Sequence, residues 1–187
     1  MTTRDLAYIA LFAALTAALG LVPPIPLGPV PITAQTLGVM LAGSVLGAKR
    51  GFLALLLFLV LVAIGLPVLP GGHGGLAVFA GATAGYLVGW PLGALVVGLL
   101  TEGVWTRYHL GWGLAANVLG GILVIYAVGV PVLRAITGLG WVDAVRLGAL
   151  VFIPGDLVKA GIAAAVAVQV RRSYPVIERR GRAVTAS

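Results

Sequence analysis

Asp156 and Lys159 stand three residues apart in FIPGDLVKAG, residues 152–161, inside an apolar run from Leu147 to Val170. A spacing of three puts both side chains on one face of a helix. An ionisable group at bilayer depth costs about 2.5–3.5 kcal/mol on insertion scales. The two could simply neutralise each other. A buried ion pair kept for stability alone, however, is weakly favoured against two apolar residues. A ligand or ion site is therefore the stronger reading. The carboxylate accepts hydrogen bonds and the ammonium donates them. A small head group with both N–H and C=O edges, such as a ureido or amide ring, would satisfy both. The apolar surroundings would suit a hydrocarbon remainder. Pro154 and Gly155, just before the pair, are expected to loosen the helix and expose backbone groups there.

Other chemistries lack their parts. Asp5, Glu102, Asp143 and Glu178 lie at span ends, in loops or in the tail, so an aspartyl pair sharing a proton has no second member. Ser44, Ser173 and Ser187 have no well-placed histidine partner for nucleophilic catalysis. There is no cysteine, and His73 and His109 are the only histidines, so no metal site is expected. No GxxxxGK[ST] loop is present to cradle a nucleotide. Neither an enzyme nor a catalytic cofactor is expected.

The elements that must position Asp156 and Lys159 are membrane helices. The chain has 187 residues, 60% of them hydrophobic and only 9% charged, with mean hydropathy +1.12. Ordinary soluble domains are about 25% charged. An all-α polytopic membrane protein follows, with spans at 5–22, 34–48, 51–69, 77–100, 111–133 and 147–170, each near the length a bilayer requires. The first run exceeds the h-region of about 7–15 residues found in signal peptides, and reads as the first span. The six-helix bundle occupies residues 1–172, and a basic tail occupies 173–187. The net charge of +7 sits mostly at span ends and in the tail, which fits topology rather than nucleic-acid binding. One side carries Arg4, Lys49, Arg50, Arg107, Arg171, Arg172, Arg179, Arg180 and Arg182, and the other only Arg134 and Arg146. Positive charge accumulates on the cytoplasmic side. Both termini are expected there, in the cell membrane.

Three further segments invite a role. The loop LVPPIPLGPVPIT, residues 21–33, is stiffened by proline, and is either a linker or a lid over a pocket mouth. Ala10, Ala14 and Ala18 line one face of the first span, with Ala13 and Ala17 beside them. Small residues at that spacing permit close helix approach, either within the bundle or to a separate protein. AGATAGYLVGWPLG, residues 80–93, brings Thr83 and Tyr86 hydroxyls into glycine-rich backbone, with Pro91 expected to kink the helix. Such a segment lines a cavity or serves close helix packing.

Three ordered blocks carry a resemblance: GPVPITAQTLGVMLAGSVLGAKRG, IGLPVLPGGHGGLAVFAGATAGYLVGWPLGA and FIPGDLVKAGIAAAV. Together they resemble the BioY family, the biotin-specific substrate-binding S components of energy-coupling factor (ECF) transporters. The resemblance covers roughly residues 28–170. It implies six membrane helices that take biotin from outside, with the first loop as lid. Its PGDxxK motif falls on Pro154, Gly155, Asp156 and Lys159. Its VPITxQT motif falls on Val30–Thr36, including Thr33 and Gln35, and its glycine-rich segment on Gly74–Tyr86, including Thr83. The chain departs from the family at Ala82, where proline is usual, and at Phe58, where tyrosine is common. The resemblance also implies a transmembrane coupling protein and ATPase subunits as partners, with Ala10, Ala14 and Ala18 as the docking face. The alternative is a self-sufficient secondary transporter with Asp156 as proton carrier.

Overall fold

A computed structural model describes residues 1–174, 176 and 177. Apart from short loops with two isolated bridges, the described residues are helical. Most of the tail expected at 173–187, including Arg179, Arg180 and Arg182, lies outside the described residues.

Helix α1, Thr3–Leu19, starts where the sequence provides a capping box. Asp5 N donates to Thr2 Oγ1 at 3.2 Å, and Thr2 N donates to Asp5 Oδ2 at 2.8 Å. The box satisfies two of the N–H groups that a helix start leaves unpaired. Helix α2, Gln35–Leu46, is only 12 residues long, or about 18 Å at 1.5 Å per residue. Nine of those residues are buried. The expected span 34–48 is thus an interior element, packed against α1, α3, α4 and α6, whose length no longer has to match the bilayer. Helix α3, Ala48–Ala63, follows after Gly47 alone. Gly47 has φ +83°, and a Cβ there would collide with the Glu102 carboxylate, so only glycine fits this turn.

The expected spans 51–69 and 77–100 are both cut back around the breaker-rich turn between them. Helix α3 ends at Ala63, a 3₁₀ turn occupies Leu76–Ala80, and α4 runs Ala84–Gly103. Gly71 and Gly72 both take φ near +75°, as a tight PGGHGG turn requires. Pro91 lies inside α4 without ending it. Helix α5, Leu110–Thr137, and helix α6, Trp141–Ser173, are both longer than their expected spans. Helices α4, α5 and α6 are long and apolar enough to cross a membrane.

Two helices contain π-type turns, at Asn117–Val124 in α5 and at Arg146–Leu150 in α6. Helix α6 is then interrupted at Val151 and Phe152 before it resumes at Ile153. The loosening expected at Pro154 and Gly155 therefore falls just upstream of them. In an unbroken helix the Pro154 ring would strike the Leu150 carbonyl and leave it without a donor. The interruption removes that clash, and Pro154 enters the first turn of the new segment, where its missing N–H is harmless.

Candidate functional site

The restart of α6 places Asp156 in a first helical turn, where the helix dipole favours a carboxylate. Asp156 is 3% exposed. Lys159 Nζ lies 2.8 Å from Asp156 Oδ1, so the pair expected at i, i+3 forms. Neither is isolated. Lys159 Nζ also donates to the Thr33 carbonyl at 2.7 Å and to Thr36 Oγ1 at 2.9 Å. Those bonds use all three ammonium hydrogens. Thr36 Oγ1 donates to Asp156 Oδ1 at 3.1 Å, and Tyr126 OH donates to Asp156 Oδ2 at 2.6 Å. The carboxylate thus takes two bonds on Oδ1 and one on Oδ2, which leaves Oδ2 a further acceptor direction.

This cluster forms one wall of a cavity of about 400 Å³. Pocket volumes of roughly 300–1,000 Å³ are typical for small-molecule sites, which are mostly apolar with a few placed polar groups. Here Pro24, Val30 and Pro31 of the first loop line it, and Leu69, Pro70 and His73 come from the turn after α3. Tyr86, Leu87 and Trp90 of α4, Ile125 and Tyr126 of α5, and Phe152 complete the walls. The first loop closes on itself through paired bonds between Ile25 and Ile32, at 2.9 and 3.0 Å. A Cβ at its Gly28 would stand 3.8 Å from Leu147 Cδ2, so the loop reaches across to α6.

The six residues singled out as substrate-binding all line this one cavity: Thr33, Gln35, Thr83, Tyr86, Asp156 and Lys159. Their individual geometry differs from what residue type alone suggests. Thr33 offers its carbonyl to Lys159. Gln35 is fully buried, and its Nε2 donates to Thr16 O and Val68 O, both at 3.0 Å. It ties the end of α1 to the turn after α3. Its Oε1 has no hydrogen-bond partner among the described residues. Tyr86 donates to Gly148 O at 2.7 Å, which uses its hydroxyl hydrogen within the chain.

Sequence reasoning missed Thr36, Tyr126, Trp90 and Phe152. Thr36 stood within the quoted VPITAQT block, one residue from Gln35. Tyr126 carried a signal as well, since a hydroxyl at bilayer depth needs a partner. Its distance of 30 residues from Asp156 concealed which one. The π-type turns of α5 and α6 end just before Tyr126 and Phe152, whose rings lie 6.4 Å apart. Such turns recur at functional sites.

Ala10, Ala14 and Ala18 do not take part in the cavity. All three are exposed along α1, whereas Ala13 is buried and Ala17 packs on the core. Phe58 is buried and packs on Trp90 with ring centroids 5.8 Å apart.

Comparison with known proteins gives consistent findings. A family model described as the BioY family matches residues 1–176. A biotin transporter BioY of Rhizobium etli is 54% identical over 96% of this chain and 100% of its own length. One from Rhodobacter capsulatus is 50% identical over 92% of this chain and 95% of its own. Among solved structures, the S-component for biotin from an ECF-type ABC transporter superposes with a TM-score of 0.88. That protein is 34% identical, with 94% of this chain and 97% of the other covered.

Proposed function

The chain belongs to the BioY family, and from that premise we propose that it is the membrane-embedded biotin-binding S component of an ECF-type importer. The observation that carries this reading is the Asp156–Lys159 cluster, set in the wall of an otherwise apolar cavity. The ureido ring of biotin presents N–H and C=O edges to that cluster. Its N–H can donate to the open side of Asp156 Oδ2. Its carbonyl can accept from Lys159 once the ammonium releases Thr33 or Thr36. The thiophane ring and aliphatic chain then lie against Trp90, Leu87 and Phe152. Thr33, Gln35, Thr83 and Tyr86 shape the remaining wall.

Six membrane-crossing helices with both termini in the cytoplasm fit this function. The cavity lies at the end of the bundle where α1 finishes and α2 and α4 begin. Arg4, Lys49, Arg50 and Arg171 lie at the other end. With the cationic end in the cytoplasm, the cavity opens outward and the first loop is its lid. The curated relatives are biotin transporters, which supports transport as the activity here. Energy would come from a coupling membrane protein and ATPase subunits, met through the exposed Ala10, Ala14 and Ala18 face.

The test is titration calorimetry of the purified chain with biotin and with other vitamins. Selective biotin binding supports the reading, and no heat with biotin overturns it. Uptake that survives an uncoupler but stops on ATP depletion distinguishes the importer from a proton-driven carrier that works through Asp156.

A further inference from the structure

The ligand cavity has one built polar wall, at Asp156 and Lys159, but biotin has two polar ends. The ureido ring meets that wall. The carboxylate at the far end of the aliphatic chain needs a partner of its own. Lys159 is already saturated by Thr33, Thr36 and Asp156, and the ureido carbonyl takes one of those places. Arg134 and Arg146 do not line the cavity, and the Arg134 guanidinium lies over the Trp141 ring at 4.7 Å. Among the described residues, the one further lining side chain able to carry positive charge is His73.

The turn after α3 holds His73 in place. Its Nδ1 lies 2.9 Å from Pro70 O. A carbonyl only accepts, so Nδ1 carries the hydrogen of that bond. Leu69 N donates to His73 O at 3.1 Å and closes the turn. Gly71 takes φ +78°, and a Cβ there would stand 3.0 Å from both Cε1 and Nδ1 of His73, so the glycine leaves the ring its seat. The ring nitrogen left for a ligand is Nε2. With Nδ1 protonated, Nε2 accepts in the neutral ring and donates only in the imidazolium. A carboxylate therefore selects the charged form.

The position also suits an acid. Asp156 is buried, whereas His73 and the neighbouring Gly71 and Gly72 are exposed. The cavity thus runs from a buried polar wall to an exposed rim. A carboxylate at the rim keeps part of its water, which avoids the cost of burying a charge. Residues 21–33 and 64–83, the first loop and the segment between α3 and α4, contain no titratable side chain other than His73. The remaining titratable lining groups are Tyr86, Tyr126 and the mutually paired Asp156 and Lys159.

We propose that His73 recognises the carboxylate of biotin, through an imidazolium Nε2–H at the rim of the cavity. The assignment rests on biotin as the ligand, and adds the residue that separates the acid from its neutral analogues.

The test is titration calorimetry of the full chain, between pH 6 and pH 8, with biotin and with biotinamide. The amide keeps both rings and the chain but lacks the charge. Biotin should bind roughly three- to fivefold more tightly than biotinamide near pH 6, the range of a partly exposed ion pair. That advantage should shrink toward pH 8, because histidine loses its charge across this interval. Any titration of Asp156 or Lys159 acts on both ligands alike and cancels in the ratio. His73→Gln should bind biotinamide as before, and biotin no better than biotinamide at either pH. Retained biotinamide binding shows that this variant is folded. Equal affinity for the two ligands at pH 6, an advantage independent of pH, or an advantage that survives His73→Gln would each overturn the assignment and leave biotin as the ligand. Heat with neither ligand would overturn the biotin reading as well. If His73→Gln fails to fold, the pH profile of the unsubstituted chain still decides.

Discussion

Lys159 has three hydrogens to donate, and Thr33 O, Thr36 Oγ1 and Asp156 Oδ1 take all of them. The ammonium is therefore saturated without a ligand, so a ureido carbonyl must displace Thr33 or Thr36 from it, whereas a ureido N–H can use the open side of Asp156 Oδ2. Replacing Asp156 or Lys159 by alanine removes a charged hydrogen-bonding partner, so each should weaken biotin binding by at least about 1.5–3 kcal/mol. Titration calorimetry on folded variants measures this, and unchanged affinity in both would remove the pair from the site. Tyr126→Phe deletes one donor to Asp156 Oδ2 while keeping the ring. It should weaken binding by less than Asp156→Ala does. Gln35→Leu is expected to act differently. It leaves the buried Thr16 carbonyl and the part-buried Val68 carbonyl without that donor, at a cost of about 1–3 kcal/mol for a buried unsatisfied group. A lowered melting temperature in detergent, with or without biotin, checks this tie.

At the scale of elements, α1 divides its alanines between two faces. Ala13 and Ala17 face the bundle, and Ala10, Ala14 and Ala18 remain exposed. Membrane helices associate through close van der Waals contact, so a bulky side chain on the exposed face should hold a partner off. Ala14→Trp is expected to leave biotin affinity of the isolated chain nearly intact. Co-purification with a coupling protein and ATP-dependent uptake should both fall. Normal assembly and transport would mean that this face has no docking role. The α2–α3 junction makes a separate prediction. Gly47→Ala forces a Cβ into a φ of +83° and against Glu102. It should destabilise the protein by about 1–3 kcal/mol, read as a lower melting temperature.

For the whole molecule, the proposed orientation places the cavity outside and the cationic end in the cytoplasm. A cysteine introduced at Gly138 should react with an impermeant maleimide in intact cells, and one at Ser173 should not. The reverse pattern would put the biotin cavity on the wrong face for uptake. The sequence alone determined that the chain is helical and apolar, and that one intramembrane charge pair had to have a purpose. Those follow from composition and from the cost of charge in hydrocarbon, which are local properties. It also located the PGGHGG break between the third and fourth spans, because glycine takes a positive φ without strain. The extent of α2 was decided only by the fold, since a helix shielded by its neighbours is free of the bilayer's length requirement. Tertiary structure likewise decided which polar groups met. Thr36 lies 120 residues from Asp156 and Tyr126 lies 30, and no periodicity connects them. Their hydroxyls found the carboxylate because buried polar groups must be paired, and the available partner was on another helix.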